Sequence, residues 1–92
     1  MKRTDEIVIY TNPDTLKHKT DKRHSMHSWY FERPPASKKV KRIYFAIKGK
    51  VVGSFKVVAT GYHELYFDPK TLRFIKKAIT CKPFRGFRYR WW

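Results

Sequence analysis

Four histidines, one cysteine and seven carboxylates are the side chains of this 92-residue chain whose types could support catalysis or metal binding. His18, His24 and His27 lie close together, but an H-x5-H-x2-H spacing reproduces no common zinc pattern, and the lone Cys81 is far downstream of them. Together with His63 they read as residues of a basic surface that hydrogen-bond phosphate and gain charge when it binds. Cys81 is flanked by Lys77, Lys82 and Arg85, which would activate a thiolate if they were near it in space, yet a single cysteine without a base beside it reads as a buried structural thiol. Asp14, Asp21 and Asp68 sit in turn or cap contexts. Of the other four, Glu32 and Glu64 are the candidates, neither with a second carboxylate at acid–base spacing, and Glu32 adjoins Arg33 as in a structural ion pair. No phosphate-loop glycine pattern and no nucleophile-elbow motif is present. The residues alone therefore predict no catalytic set, no metal and no cofactor.

Cations and aromatics are the resource the chain does have. Its 22 Lys and Arg against 7 Asp and Glu leave a formal charge of +15, and the excess is uneven. Residues 17–42 carry +7 and residues 70–92 carry +8 with no acid at all, whereas residues 43–69 are close to neutral. Charge this concentrated repels itself, a cost that a bound polyanion offsets, so RNA or DNA is the expected partner. A hydrophobic content of 41% and an aromatic content of 17% exclude a disordered polybasic tail. Lys17, Lys19, Lys22, Arg23, Arg85, Arg88 and Arg90 are the candidate phosphate contacts. Trp29 and Tyr62, with Tyr30, Trp91 and Trp92 in reserve, are the candidate base stackers. In the tail, cations alternate with aromatics, which on a strand would put Arg88 and Arg90 on one face and Tyr89 and Trp91 on the other.

These side chains need elements to hold them. Ile7-Val8-Ile9-Tyr10 reads as a strand closed by a turn at Thr11-Asn12-Pro13-Asp14. The basic run from Lys17 to His24 is an exposed loop or a short helix. Trp29-Tyr30-Phe31 is a second extended run, stopped by Pro34-Pro35. Residues 42–47 and 51–59 form the clearest element, a hairpin through Lys48-Gly49-Lys50, and Gly53 within its second arm marks a bulge or bend of the kind that curls a sheet. After Leu65-Tyr66-Phe67, Asp68-Pro69 opens either a helix presenting Leu72, Ile75 and Ile79 or a turn into another strand. Phe84 to Trp92 is a closing strand bent at Gly86. The expectation is one α+β, mostly β domain spanning residues 1–92, a small pseudo-barrel of about five short strands with one or two short helices. Lacking a disulfide framework, a span of about 20 apolar residues or a signal peptide, the protein is expected to be cytoplasmic and without membrane contact.

The order of features resembles the PUA-like superfamily, and within it the small ASCH and EVE-type domains. The resemblance rests on the Lys19-Thr20 segment with Arg23, on the aromatic strand Ser28-Trp29-Tyr30-Phe31, and chiefly on Lys41 to Val57, which is similar to the family's central hairpin with its "vvG" bend (Val51-Val52-Gly53). Several ASCH domains carry G-x-K-T before the aromatic strand, and here Lys17 stands at the glycine position. The resemblance implies a domain that binds RNA or a modified nucleoside in a cleft of a pseudo-barrel, with bases on aromatics and phosphates on basic loops. It also implies an alternative, since some ASCH proteins resemble amidohydrolases of acylated nucleosides that use a Lys, a Thr and a Glu, places that Lys17, Thr20 and Glu64 match by spacing. A basic docking protein acting through its tail is the third reading. Oligomeric state and the choice between RNA and DNA stay open.

Overall fold

In a computed structural model, residues 3–21, 23, 26–32 and 40–92 are described. They form β1 (Arg3–Tyr10), α1 (Pro13–Lys19), β2 (His27–Tyr30), β3 (Arg42–Ile47), β4 (Lys50–Thr60), β5 (Glu64–Phe67), a 3-10 turn (Pro69–Thr71), β6 (Arg73–Thr80) and β7 (Phe87–Arg90). The fold is mostly β, with seven strands rather than five, in one mixed sheet of order β2-β5-β4-β3-β1-β7, and β6 is paired beside β5 on the same edge of β4.

The sheet is not closed into a full barrel: among the described residues no ladder joins β2 to β7, and the sheet stays open between them. Its two end strands do curl toward each other until the rings of Phe31 and Phe87 meet edge to face with centroids 5.6 Å apart. Aromatic contact substitutes for backbone pairing at that seam. Curling comes from β4, which carries an extra residue, Val52, against β3 and another, Val58, against β5. Gly53 lies beside the first bulge. A Cβ there would stand 2.5 Å from the Phe45 ring and 2.8 Å from the Arg73 carbonyl oxygen, so only glycine lets the two strands and that ring approach.

β1 is central, parallel to β3 and antiparallel to β7, and its continuous apolar run reflects burial on both faces. Ile7 and Ile9 join Phe31, Val40, Ile43, Phe45, Phe55, Leu65 and Phe67 inside the curl. Val8 faces the other way, into a second cluster with Tyr44, Ala46, Val51 and Cys81 that Ile75, Ile79, Phe84 and Trp92 cover. The hairpin turn is the tight form: Lys48 and Gly49 both have positive φ, as a two-residue connection matched to strand twist requires.

One local expectation is corrected and two open alternatives are decided. Asn12-Pro13-Asp14 begins α1 rather than closing a loop, because the Asn12 side chain accepts from the Thr15 N–H and Pro13 takes the first helical position. Asp68-Pro69 opens only a single 3-10 turn, in which Asp68 accepts from the Lys70 N–H, and residues 73–80 continue as a strand on the edge of β4. Trp92 is packing, not surface: its ring meets Tyr44 at 4.9 Å. The Pro34-Pro35 stop lies outside the described residues.

Gly53→Ala should lower stability by about 1–3 kcal/mol, the usual cost of overpacking a tight site, which for a domain of this size is a fall in Tm of roughly 4–8 °C per kcal/mol. Urea unfolding with the Phe55 region as an internal reporter of the curl checks it, and an unchanged midpoint would show that β4 bends without the close approach.

Candidate nucleic-acid interface

The opening between β2 and β7 is a cleft of about 790 Å³. One wall is Trp29, Tyr30, Phe31 and Glu32, the other is Arg85, Gly86 and Phe87, and Tyr10 at the end of β1 lies between them. Gly86, at φ 74°, turns the chain into β7 on the rim, a conformation few residues other than glycine adopt. The Tyr10 hydroxyl accepts from the Gly49 N–H and its ring packs edge to face on Phe84 at 5.8 Å, so this member of the lining is held from two sides.

Trp29 is fixed from behind. Its ring lies 6.1 Å from Phe67, and Lys19 Nζ sits 5.5 Å from the ring centroid while donating to the Ser28 carbonyl at 2.6 Å. Burial pushes the Lys19 ammonium below the ordinary lysine range, opposed by the negative charge of Glu64. Glu64 in turn hydrogen-bonds the Tyr66 hydroxyl, whose pKa is raised by that bond first and by the carboxylate's charge second. Outward from the cleft, Tyr30, His63 and Tyr62 form a row, with centroids 5.5 Å and 4.5 Å apart. His63 Nδ1 lies 2.9 Å from the Phe31 carbonyl, which ties the row to the seam. Tyr30 and Tyr62 are 62% and 81% exposed, a degree of aromatic exposure that leaves their faces open for stacking.

One solved structure gives this arrangement a context. The crystal structure of a ZmASCH mutant protein from Zymomonas mobilis superposes with a TM-score of 0.58 over 98% of this chain and 91% of that one, at 13% sequence identity. The chain has an ASCH-like fold. No family model and no curated protein matches the sequence.

Within this ASCH-like fold the sequence-derived site residues separate. Trp29 and Arg85 line the cleft, and Tyr62 reaches it through His63 and Tyr30. Lys17 is exposed on α1, two residues from Lys19 but turned away from the domain. Arg23 is exposed and engaged by Asp21, with Nη2 2.7 Å from the carboxylate. Arg88 is exposed with its guanidinium 5.0 Å from the Phe84 ring. Lys22 lies outside the described residues.

Arg90 is structural. Its guanidinium donates to Glu6 at 2.8 Å and to the Tyr44 hydroxyl at 3.1 Å, and it lies 5.0 Å from the Trp92 ring. With Glu6 buried and Arg42 Nε 3.9 Å away, this network locks β7 and β3 onto β1. The proposed Lys17, Thr20 and Glu64 set is not assembled as spaced. Thr20 donates its hydroxyl to the Lys17 carbonyl at the end of α1, and the lysine that senses Glu64 is Lys19. Leu16 packs on the core, and three residues later Lys19 shares its helix face, a signal that a helix assignment would have exposed. Cys81 is buried, and burial raises its pKa, the opposite of an activated thiol. Among the described residues no three His, Cys, Asp or Glu side chains are grouped to hold a metal ion, and no helix is long and apolar enough to cross a membrane.

Because the folded chain releases the Lys19 proton at lower pH than the unfolded chain does, the Lys19 contribution to stability should rise with pH up to the ordinary lysine value of 10.5, whereas Cys81, Tyr44 and Tyr66, whose pKa values are raised, contribute in the opposite direction. Lysine side-chain NMR should show Lys19 deprotonating below the ordinary lysine value of 10.5. Glu64→Gln, which removes the charge that holds the proton, should lower its pKa further, and a Lys19 that titrates at 10.5 or above would contradict the geometry.

Proposed function

We propose that this protein is a nucleic-acid-binding domain, most plainly for RNA or a modified nucleotide, that seats an unpaired base in the cleft between β2 and β7. The carrying observation is the cleft itself: Trp29, Tyr30, Tyr10 and Phe87 are among the residues lining a space of the size that small-molecule and nucleotide sites occupy. A base inserted there stacks on Trp29, and its neighbour in the strand meets the row of Tyr30, His63 and Tyr62. Phosphates run over Arg85 at the rim, Arg88 and Lys82 in the tail, and Lys17 and Arg23 beside α1. This assignment uses the basic edges and the exposed rings. Arg90 is left out because its guanidinium serves the Glu6 network.

Binding of a short single-stranded RNA should weaken steeply with salt, by roughly 0.7 decade of affinity per decade of salt for each phosphate neutralised. Trp29→Ala should cost about 1–3 kcal/mol, the usual worth of one base–aromatic stack, with the salt slope unchanged, and Arg85→Ala should instead reduce that slope. Filter binding or fluorescence anisotropy over a salt series measures both. Affinity that is flat with salt, or indifferent to Trp29, would sink the proposal.

A second reading has one observation in its favour. Lys19, its pKa lowered by burial, lies beside Trp29 and within the field of Glu64, the environment of a lysine that exchanges protons. If the domain hydrolyses acylated nucleosides, Lys19 rather than Lys17 is the lysine involved. Turnover of an acylated-nucleoside panel that disappears in Lys19→Met while the fold survives would favour it, and no turnover by the unaltered protein would remove it.

A further inference from the structure

The cleft holds one carboxylate, Glu32, and one guanidinium, Arg85. Both side chains are exposed, and among the described residues no ion pair joins them. The other acids are otherwise employed: Glu6 in the Arg90 network, Asp21 on Arg23, Asp68 on the Lys70 N–H, Glu64 on Tyr66 and near Lys19, and Asp14 in the first turn of α1. Asp5 also has a partner. Glu32 is thus the acid that lines the cleft without an internal partner among the described residues.

A negative charge inside a site for a polyanion is unfavourable unless it accepts hydrogen bonds from the ligand. We propose that Glu32 reads the Watson–Crick edge of a guanine seated in the cleft, its two oxygens accepting from the ring N1–H and the 2-amino group. The inference rests on the cleft being a base site and adds which base it selects.

An ionised carboxylate has acceptors only, so it fits an edge that presents two adjacent donors. Guanine alone among the four standard bases has one. Uracil offers a single N3–H between two carbonyl oxygens, and adenine and cytosine set an amino group beside a ring nitrogen whose lone pair would face the carboxylate. Arg85 on the opposite rim completes the match, since a nucleotide carries its anionic phosphate at the end away from that edge. The ring of Trp29 supplies the face, which a purine covers more fully than a pyrimidine does.

The test uses a hexauridylate and the same hexamer with its third uridine replaced by guanosine, inosine, adenosine or cytidine, titrated against the full chain by Trp fluorescence at fixed salt. The guanosine hexamer should bind on the order of tenfold more tightly than hexauridylate, and inosine, which lacks the 2-amino group, should lose a large part of that gain. Glu32→Gln should bind hexauridylate more tightly, because a negative charge leaves the cleft, and lose the guanosine preference, two opposite movements that a damaged fold cannot produce. Equal binding of all five hexamers, or a preference that survives Glu32→Gln, overturns the inference. If those outcomes come with affinity that still depends on Trp29, the cleft remains a base site without this selectivity. If Trp29→Ala changes nothing for any hexamer, the cleft reading falls and the inference with it.

Discussion

The bend in β4 is the constraint on which the rest of the structure depends. Eleven residues long, this strand pairs with β3 along one edge and with both β6 and β5 along the other, and a straight strand could not serve all three. Bulges at Val52 and Val58 supply the curvature, and Gly53 removes the side chain that would otherwise collide with Phe45. Curling brings β2 and β7 face to face without enough length for a ladder. The result is a seam held by Phe31 against Phe87, with a cleft where backbone pairing would have been. The site is therefore a consequence of incomplete closure.

The second requirement is that a chain of +15 hold its ends in place. The buried Glu6 answers it by drawing Arg90 and Arg42 inward, so that two cations of an overcharged molecule become cross-links among three strands. Such a network is weak evidence for net stability, since desolvating the charges costs as much as their attraction returns. What it does is fix register: β1 and β7 are irregular between Arg3 and Ile7, and Glu6 sits in that irregular stretch. The remaining cations of the tail stay on the surface, where nothing acidic offsets them within residues 70–92.

Local chemistry made the hairpin at 42–60 legible, because β-branched arms, Gly49 and Gly53 each have one physical meaning there. The same route failed at Asn12-Pro13-Asp14, where cap and turn use identical residues and only the packing of Leu16 chooses between them. It failed again at Arg90. Alternating Arg and aromatic residues look the same whether the cation meets phosphate or a buried carboxylate, and the partner, Glu6, is at the other end of the chain. The aromatic strand at Trp29 was visible, but the cleft was not, since its walls come from segments more than fifty residues apart and depend on where a bent sheet stops.

The central claim is that an unpaired base enters the opening between β2 and β7. The most direct measurement is the indole N–H region of a 15N-labelled protein titrated with a single-stranded RNA hexamer, where three tryptophans give three separate reporters. The account predicts that the Trp29 signal moves along the binding curve while Trp92, packed on Tyr44, stays in place. Saturable binding that shifts Trp91 and Trp92 and leaves Trp29 unmoved would contradict it.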